Sequence, residues 1–116
     1  ITQANFQETT AQGIVLLDFW AGWCGPCRTF APIFEAASEQ HEDVVFGKVD
    51  TEAEQGLAAA FGIRAIPTLA VLRDGVVLHV QPGVMQADGI SQLIAQVAEL
   101  DMDEVRKKAT PMQRSA

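Results

Sequence analysis

The stretch DFWAGWCGPCRTFAP, from Asp18 to Pro32, contains both cysteines of the chain, Cys24 and Cys27, separated by Gly25 and Pro26. Just upstream, IVLLDFW (Ile14 to Trp20) is an apolar run rich in β-formers, broken once by Asp18. Such a run reads as a strand covered on both faces. Downstream, Phe30, Ile33, Phe34 and Ala37 recur at helical spacing up to about His41. Pro32 lies inside that helix and is expected to kink it, because it removes one backbone donor. The two cysteines therefore fall where a strand ends and a helix begins.

Working outward, VVFGKVD (Val44 to Asp50) reads as a second strand. Strand, long helix, strand is a βαβ unit, so the two strands should be parallel. TEAE (Thr51 to Glu54) has the pattern of a capping box opening a short helix that ends near Phe61 and Gly62. TLAVLRDGVVLHV reads as a hairpin turning at Asp74-Gly75. From about Gln86, Ile90, Leu93, Ile94, Val97 and Leu100 mark one face of a further helix. At the other end, Thr2 could cap a helix through Thr10 that Gly13 closes. After Leu100 the apolar spacing fades, and a helix extension followed by disorder over 109–116 is expected. The reading is one domain over 1–108: an α/β sandwich, βαβ plus ββα around a mixed central sheet with helices on both faces.

Composition narrows the function. The chain has 116 residues, enough for one buried core, and 48% of them are hydrophobic against 20% charged. A net charge of −7 argues against nucleic acid, whose phosphates require basic patches. No apolar run approaches the roughly 18 residues of a membrane span, so no membrane association is expected. Two cysteines do not make a disulfide scaffold. The first residue is Ile1, so a removed targeting segment stays open; the default is cytoplasmic.

The position of the cysteines bears on their chemistry. The first turn of a helix presents unpaired amides and a partial positive charge. A thiolate there is stabilised, so its pKa falls and it becomes nucleophilic at neutral pH. Spacing of three also lets the two sulfurs meet as a disulfide. Pro26 is tolerated in a first turn and stiffens the bridge. Three other readings compete: a metal clip, an inert staple, and an unused pair in an interaction module. Zinc needs four ligands, and neither His41 nor His79 has the spacing to complete such a set, so no metal is expected. A staple closing so short a loop would gain little entropy.

DFWAGWCGPC, then GKVD, GIRAIPTL, and DG followed by QPG, resemble the thioredoxin family in order and spacing from about Thr2 to Leu100. The resemblance implies a thiol–disulfide oxidoreductase that reduces disulfides in protein substrates without a cofactor. Cys24, expected to be the more exposed thiol, is the nucleophile, and Cys27 resolves the mixed disulfide. Asp18 is the buried carboxylate that takes and returns the proton of Cys27, and Lys48 lies near it. Pro67 is the cis-proline of the family's I-P-T loop. Trp23, Gly25, Pro26, Ala65, Ile66, Gly83 and Val84 form a shallow, uncharged substrate surface. Trp20 packs beneath the site, and Phe19 is core. Implied partners are disulfide-bearing proteins and an NADPH-dependent thioredoxin reductase, with the chain working as a monomer.

Three departures stand out. Only Ile1 remains of the family's first strand, so either residues are missing or the sheet edge is bare. Arg28 stands where the family often has lysine. The tail beyond Leu100 is longer than a minimal member. The rival functions are an oxidase or isomerase of the same family, which more often has histidine between the cysteines, and a redox-independent binding or chaperone module.

Overall fold

In the computed structural model, residues 1–108 are described. The elements are α1 (Phe6–Thr10), β1 (Ile14–Trp20), α2 (Gly25–Gln40), β2 (Val45–Asp50), α3 (Gln55–Ala60), β3 (Thr68–Arg73), β4 (Val76–Pro82), α4 (Ala87–Ala98) and α5 (Met102–Lys108). The four strands form one mixed sheet in the order β2-β1-β3-β4. β1 runs parallel to β2 and antiparallel to β3, and β3 antiparallel to β4. This is the expected βαβ and ββα arrangement.

The apolar run of β1 is central because both its edges are paired and both its faces covered. Leu16 faces one core with Phe30, Phe34 and Ala37 of α2, Leu69 and Val71 of β3, and Ile90, Ile94 and Val97 of α4. Val15, Leu17 and Phe19 face the other, with Phe6 of α1 and Leu57 of α3. Alternation along the strand thus sends Leu16, Asp18 and Trp20 toward α2. The lone acid of the run lands under the cysteines rather than at a wet edge.

Several local expectations shift. Thr2 does not cap α1. Its amide donates to Asn5 Oδ1 at 2.7 Å in a turn, and the helix begins at Phe6. Thr51 to Glu54 do not form a capping box. Thr51 Oγ1 instead donates to the Trp20 carbonyl at 3.0 Å, and α3 starts at Gln55 with no side-chain cap. The Thr51 side chain thereby ties the end of β2 to the end of β1, a tertiary bond that wins over the local one. α2 passes through Pro32 without interruption, so the helix bears the missing amide inside its length.

The hairpin turns at Asp74 and Gly75, with φ of 51° and 83°. Both lie in the left-handed region, where Asp and Gly are the usual residues of a two-residue hairpin loop. Asp74 also anchors the entry to β1, its Oδ1 accepting the Gly13 amide at 2.8 Å and its own amide donating to the Gly13 carbonyl at 2.9 Å.

The tail is not a continuation of α4. The helix ends at Ala98, and Arg73 Nη1 donates to the carbonyls of Val97, Ala98 and Leu100 at 2.8, 3.2 and 3.1 Å. A guanidinium takes up the orphan carbonyls of that helix end, where a positive charge is favoured. Asp101 Oδ1 then accepts the Asp103 and Glu104 amides at 3.0 and 3.4 Å and opens α5, whose Met102 is buried. The expected disorder over 109–116 lies outside the described residues. At the other end, the Ile1 ammonium donates to the Lys48 carbonyl at 2.8 Å on the outer side of β2. A Cβ at Gly47 would stand 2.7 Å from Ile1 Cγ1, so only glycine allows this approach.

Ile90 is fully buried between α4 and the sheet. Ile90→Ala should lower the unfolding free energy by about 3 kcal/mol with an unchanged urea m-value. A loss under about 1 kcal/mol would mean that α4 is not packed on the sheet as described.

Candidate active site

The site begins where β1 stops. After Trp20 the chain turns, and the Cys24 amide donates to the Ala21 carbonyl at 3.2 Å. Cys24 is the N-cap of α2, with extended backbone (φ −87°, ψ 113°), and Pro26 lies in the first turn. In place of a capping hydroxyl, Cys24 Sγ accepts the Cys27 amide at 3.1 Å. The two cysteines are bonded to each other with Cα atoms 5.2 Å apart, inside the ordinary disulfide range.

One expectation about the pair changes. Cys24 is 3% exposed and Cys27 4%, so exposure does not distinguish them. What distinguishes Cys24 is its place at the cap, where its sulfur holds a first-turn amide.

Ile66–Pro67 is a cis peptide bond. The loop carrying it is braced from both sides. Thr68 Oγ1 donates to the Ala65 carbonyl at 2.6 Å, and the Gly83 amide donates to the Pro67 carbonyl at 2.8 Å. The Ile66 carbonyl then lies 3.6 Å from Cys24 Sγ. Three segments therefore meet at the sulfurs: the α2 turn, the Ala65–Pro67 loop, and the Gly83–Val84 loop. Trp23 is 70% exposed beside them, and Val84 is also exposed. Gly25, Pro26 and Ala65 are exposed, while Ile66 is half-buried.

Behind the sulfurs is a cavity of about 230 Å³, lined by Asp18, Trp20, Cys27, Arg28, Ala31 and Lys48, together with Ala21 and Gly22. Asp18 and Lys48 are in direct register on β1 and β2, which is why two residues far apart in sequence line one space. Asp18 is 1% exposed, and its Oδ1 has no hydrogen-bond partner. Burial pushes the carboxyl up from 3.8 to about 6, against the opposing pull of the Lys48 ammonium. A carboxyl so raised can exchange a proton near neutral pH.

The fold brings Cys27, Asp18 and Lys48 around one cavity, while Cys24, bonded to Cys27, meets the Ile66 carbonyl of the cis-proline loop. Sequence reading passed over Gly22 and Ala31, and treated Arg28 only as a conservative replacement. Arg28 Nη2 in fact donates to the Gly22 carbonyl at 2.9 Å, tying the first turn of α2 to the loop before the cysteines. The available signal was helical spacing, since Ala31 stands one turn beyond Cys27.

The raised pKa of Asp18 has a stability consequence. Its folded value lies above its unfolded one, so the stabilisation it confers is complete below pH 3.8 and is lost as pH rises through about 6. Relative to Asp18→Asn, the wild type should lose about 2.5 kcal/mol between pH 4 and pH 7.5 in urea unfolding, most of what a shift from 3.8 to about 6 carries. A difference that stays flat with pH would show that the carboxyl is not desolvated.

The family model for thioredoxin matches residues 1–99. A Streptomyces coelicolor protein bearing a thioredoxin name is 50% identical over 117 residues, covering 100% of this chain and 87% of that protein. Bacillus subtilis thioredoxin is 37% identical over 94 residues, covering 80% of this chain and 90% of that one. Among solved structures, a mutant thioredoxin from Halobacterium salinarum superposes with a TM-score of 0.79 at 36% identity, covering 85% of this chain and 88% of that chain. A bonded C-x-x-C pair capping a helix, in a fold shared with these proteins, is a reactive couple rather than a staple. The chain belongs to the thioredoxin family, and it is a thiol–disulfide oxidoreductase that reduces disulfides in proteins.

Proposed function

We propose that the chain is a general protein-disulfide reductase in which Cys24 is the nucleophile and Cys27 the resolving thiol. The observation that carries this assignment is the cap bond from the Cys27 amide to Cys24 Sγ. An amide donor and the positive end of α2 favour a thiolate at Cys24 over one at Cys27.

In the dithiol form, the Cys24 thiolate attacks one sulfur of a substrate disulfide. A Cys24–substrate bond forms, the substrate S–S bond breaks, and the first substrate thiolate leaves. Cys27 then gives up its proton to the Asp18 carboxylate, which shares its cavity, and its thiolate attacks Cys24 Sγ. The second substrate thiol is released as the Cys24–Cys27 bond closes. Two electrons pass from the chain to the substrate. Lys48, in register with Asp18, tempers the rise in its pKa and so keeps the carboxyl able to take that proton near neutral pH.

An extended substrate segment would lie along the Ile66 backbone ahead of Pro67, pairing with it as an added strand. Trp23, Gly25, Pro26, Ala65, Gly83 and Val84 would give it an uncharged floor. The family implies a reductase partner that returns the couple to the dithiol, and we assign NADPH as the source of those electrons. The chain acts as a monomer in the cytoplasm. No described helix is long and apolar enough to cross a membrane. Gly25 and Pro26 between the cysteines favour this direction of chemistry over an oxidase or isomerase.

The decisive measurement is the potential of the Cys24–Cys27 couple in a dithiol buffer. A value near about −270 mV, typical of thioredoxins as a class, is expected; one near about −120 to −180 mV would reverse the direction of the chemistry. Cys27→Ser should accumulate the mixed disulfide with Cys24, detectable by mass. Cys24→Ser should lose turnover by at least about three orders of magnitude. A mixed disulfide on Cys27 in the Cys24→Ser protein, formed as fast as that on Cys24, would exchange the two roles.

A further inference from the structure

The distribution of charge around the site differs from that of the rest of the chain. The segments that supply the α2 turn, the cis-proline loop and the Gly83 loop are 19–34, 55–72 and 75–87. They contain only two charged residues, Arg28 and Arg64, and all 15 acids of a chain with net charge −7 lie outside them. Arg28 is exposed one residue after Cys27. Arg64 is exposed two residues before Ile66, whose carbonyl is 3.6 Å from Cys24 Sγ.

Neither arginine is neutralised by an ion pair among the described residues. Arg28 is oriented by its bond to the Gly22 carbonyl, which engages only one of its donors. The acids nearest by chain and register hold internal amides. Asp50 Oδ1 accepts those of Glu52 and Ala53, and Glu54 Oε1 accepts that of Gln3. Asp18 is buried. Asp88 is exposed in the first turn of α4, just beyond the Gly83 loop, and is the acid that most opposes the pattern.

Resting on the reductase reading, we propose that Arg28 and Arg64 make this site selective for disulfides whose cysteine is flanked by Asp or Glu. The segments that form the floor carry no acid, so their two guanidinium groups set the sign of its preference, with Lys48 of the adjoining cavity adding to the same sign and Asp88 opposing it. Guanidinium groups suit carboxylates because their planar fork donates two parallel hydrogen bonds. The effect is one of recognition. It acts on encounter and KM, because it is exerted on the residues flanking the reacting cysteine and not on the sulfur exchange itself.

The test uses three disulfide-bonded peptides of equal length, with Glu, Ser or Lys on both sides of the reacting cysteine. Turnover is followed at about 0.15 M ionic strength, where screening over about 8 Å suppresses the far acidic faces and leaves contact pairs. The wild type should reduce the Glu peptide with a kcat/KM about ten-fold above the Lys peptide, chiefly through KM. In the Arg28→Gln, Arg64→Gln double variant the ratio should fall to about two-fold or less, and Arg64→Lys should retain most of it. Arg64→Gln alone, at an exposed position, should lower the ratio without any question of folding. Equal rates for the three peptides in the wild type, or a ratio untouched by both glutamine variants, would overturn the assignment. If the wild type reduces none of the peptides, the Ser peptide included, the reductase reading itself fails and takes this inference with it.

Discussion

Between Trp20 and Gly25 the backbone passes from the central strand of the sheet into the first turn of α2, and the Cys24 sulfur holds the Cys27 amide. The rest of the site depends on that junction being rigid. β1 is paired on both edges and buried on both faces, so the point at which it ends is set by two cores at once. A helix that begins there brings its unpaired amides to the sulfurs without any charged side chain having to approach them. The Thr51 bond to the Trp20 carbonyl and the Arg28 bond to the Gly22 carbonyl fix the junction from either side.

Burial of Asp18 is the counterpart of this arrangement. The alternation that sends Leu16 into a core sends Asp18 to the same face of the sheet, into a cavity shared with Cys27. An unpartnered carboxylate in such a place costs stability above its pKa. Local loss of stability beside a reacting group is a common mark of function, because a proton acceptor matched to neutral pH has to be desolvated. Lys48, reaching the same cavity from β2, limits the penalty without removing it.

The outer surface shows a similar division of labour. Around the sulfurs, small and apolar residues and an exposed Trp23 present little that would exclude a partner. Apart from the buried Asp18, the acids lie outside the segments that bring the sulfurs to the surface. The opposite pole of the sheet is closed by Asp74 and Arg73, which tie the hairpin turn to Gly13 and to the end of α4. That pole bears on stability, while the cysteine pole bears on chemistry.

The main elements of the fold were legible in the sequence because each carries a strong periodic or turn signal. The β1 run, the α2 stripe, the Asp74–Gly75 turn and the α4 face specify themselves through local sterics and hydrophobic spacing. The C-x-x-C pair by itself left a metal clip, a staple and an unused pair in competition with disulfide exchange, and the motifs that follow it, in their resemblance to the thioredoxin family, favoured exchange. Other features needed the tertiary structure. Thr51 looks like a helix cap in isolation, yet its hydroxyl donates to Trp20, an acceptor that comes near only once the chain is folded, whereas Thr2 closes a local turn with Asn5 ahead of α1. The equal burial of Cys24 and Cys27 is likewise a property of the folded chain. The meeting of Asp18 with Lys48 is a matter of strand register, and the contact between Cys24 and Ile66 spans 42 residues of chain. Sequence determined which groups this protein has for disulfide exchange. The sheet decided which of them share a cavity, because distances across strands are fixed by pairing and not by separation along the chain.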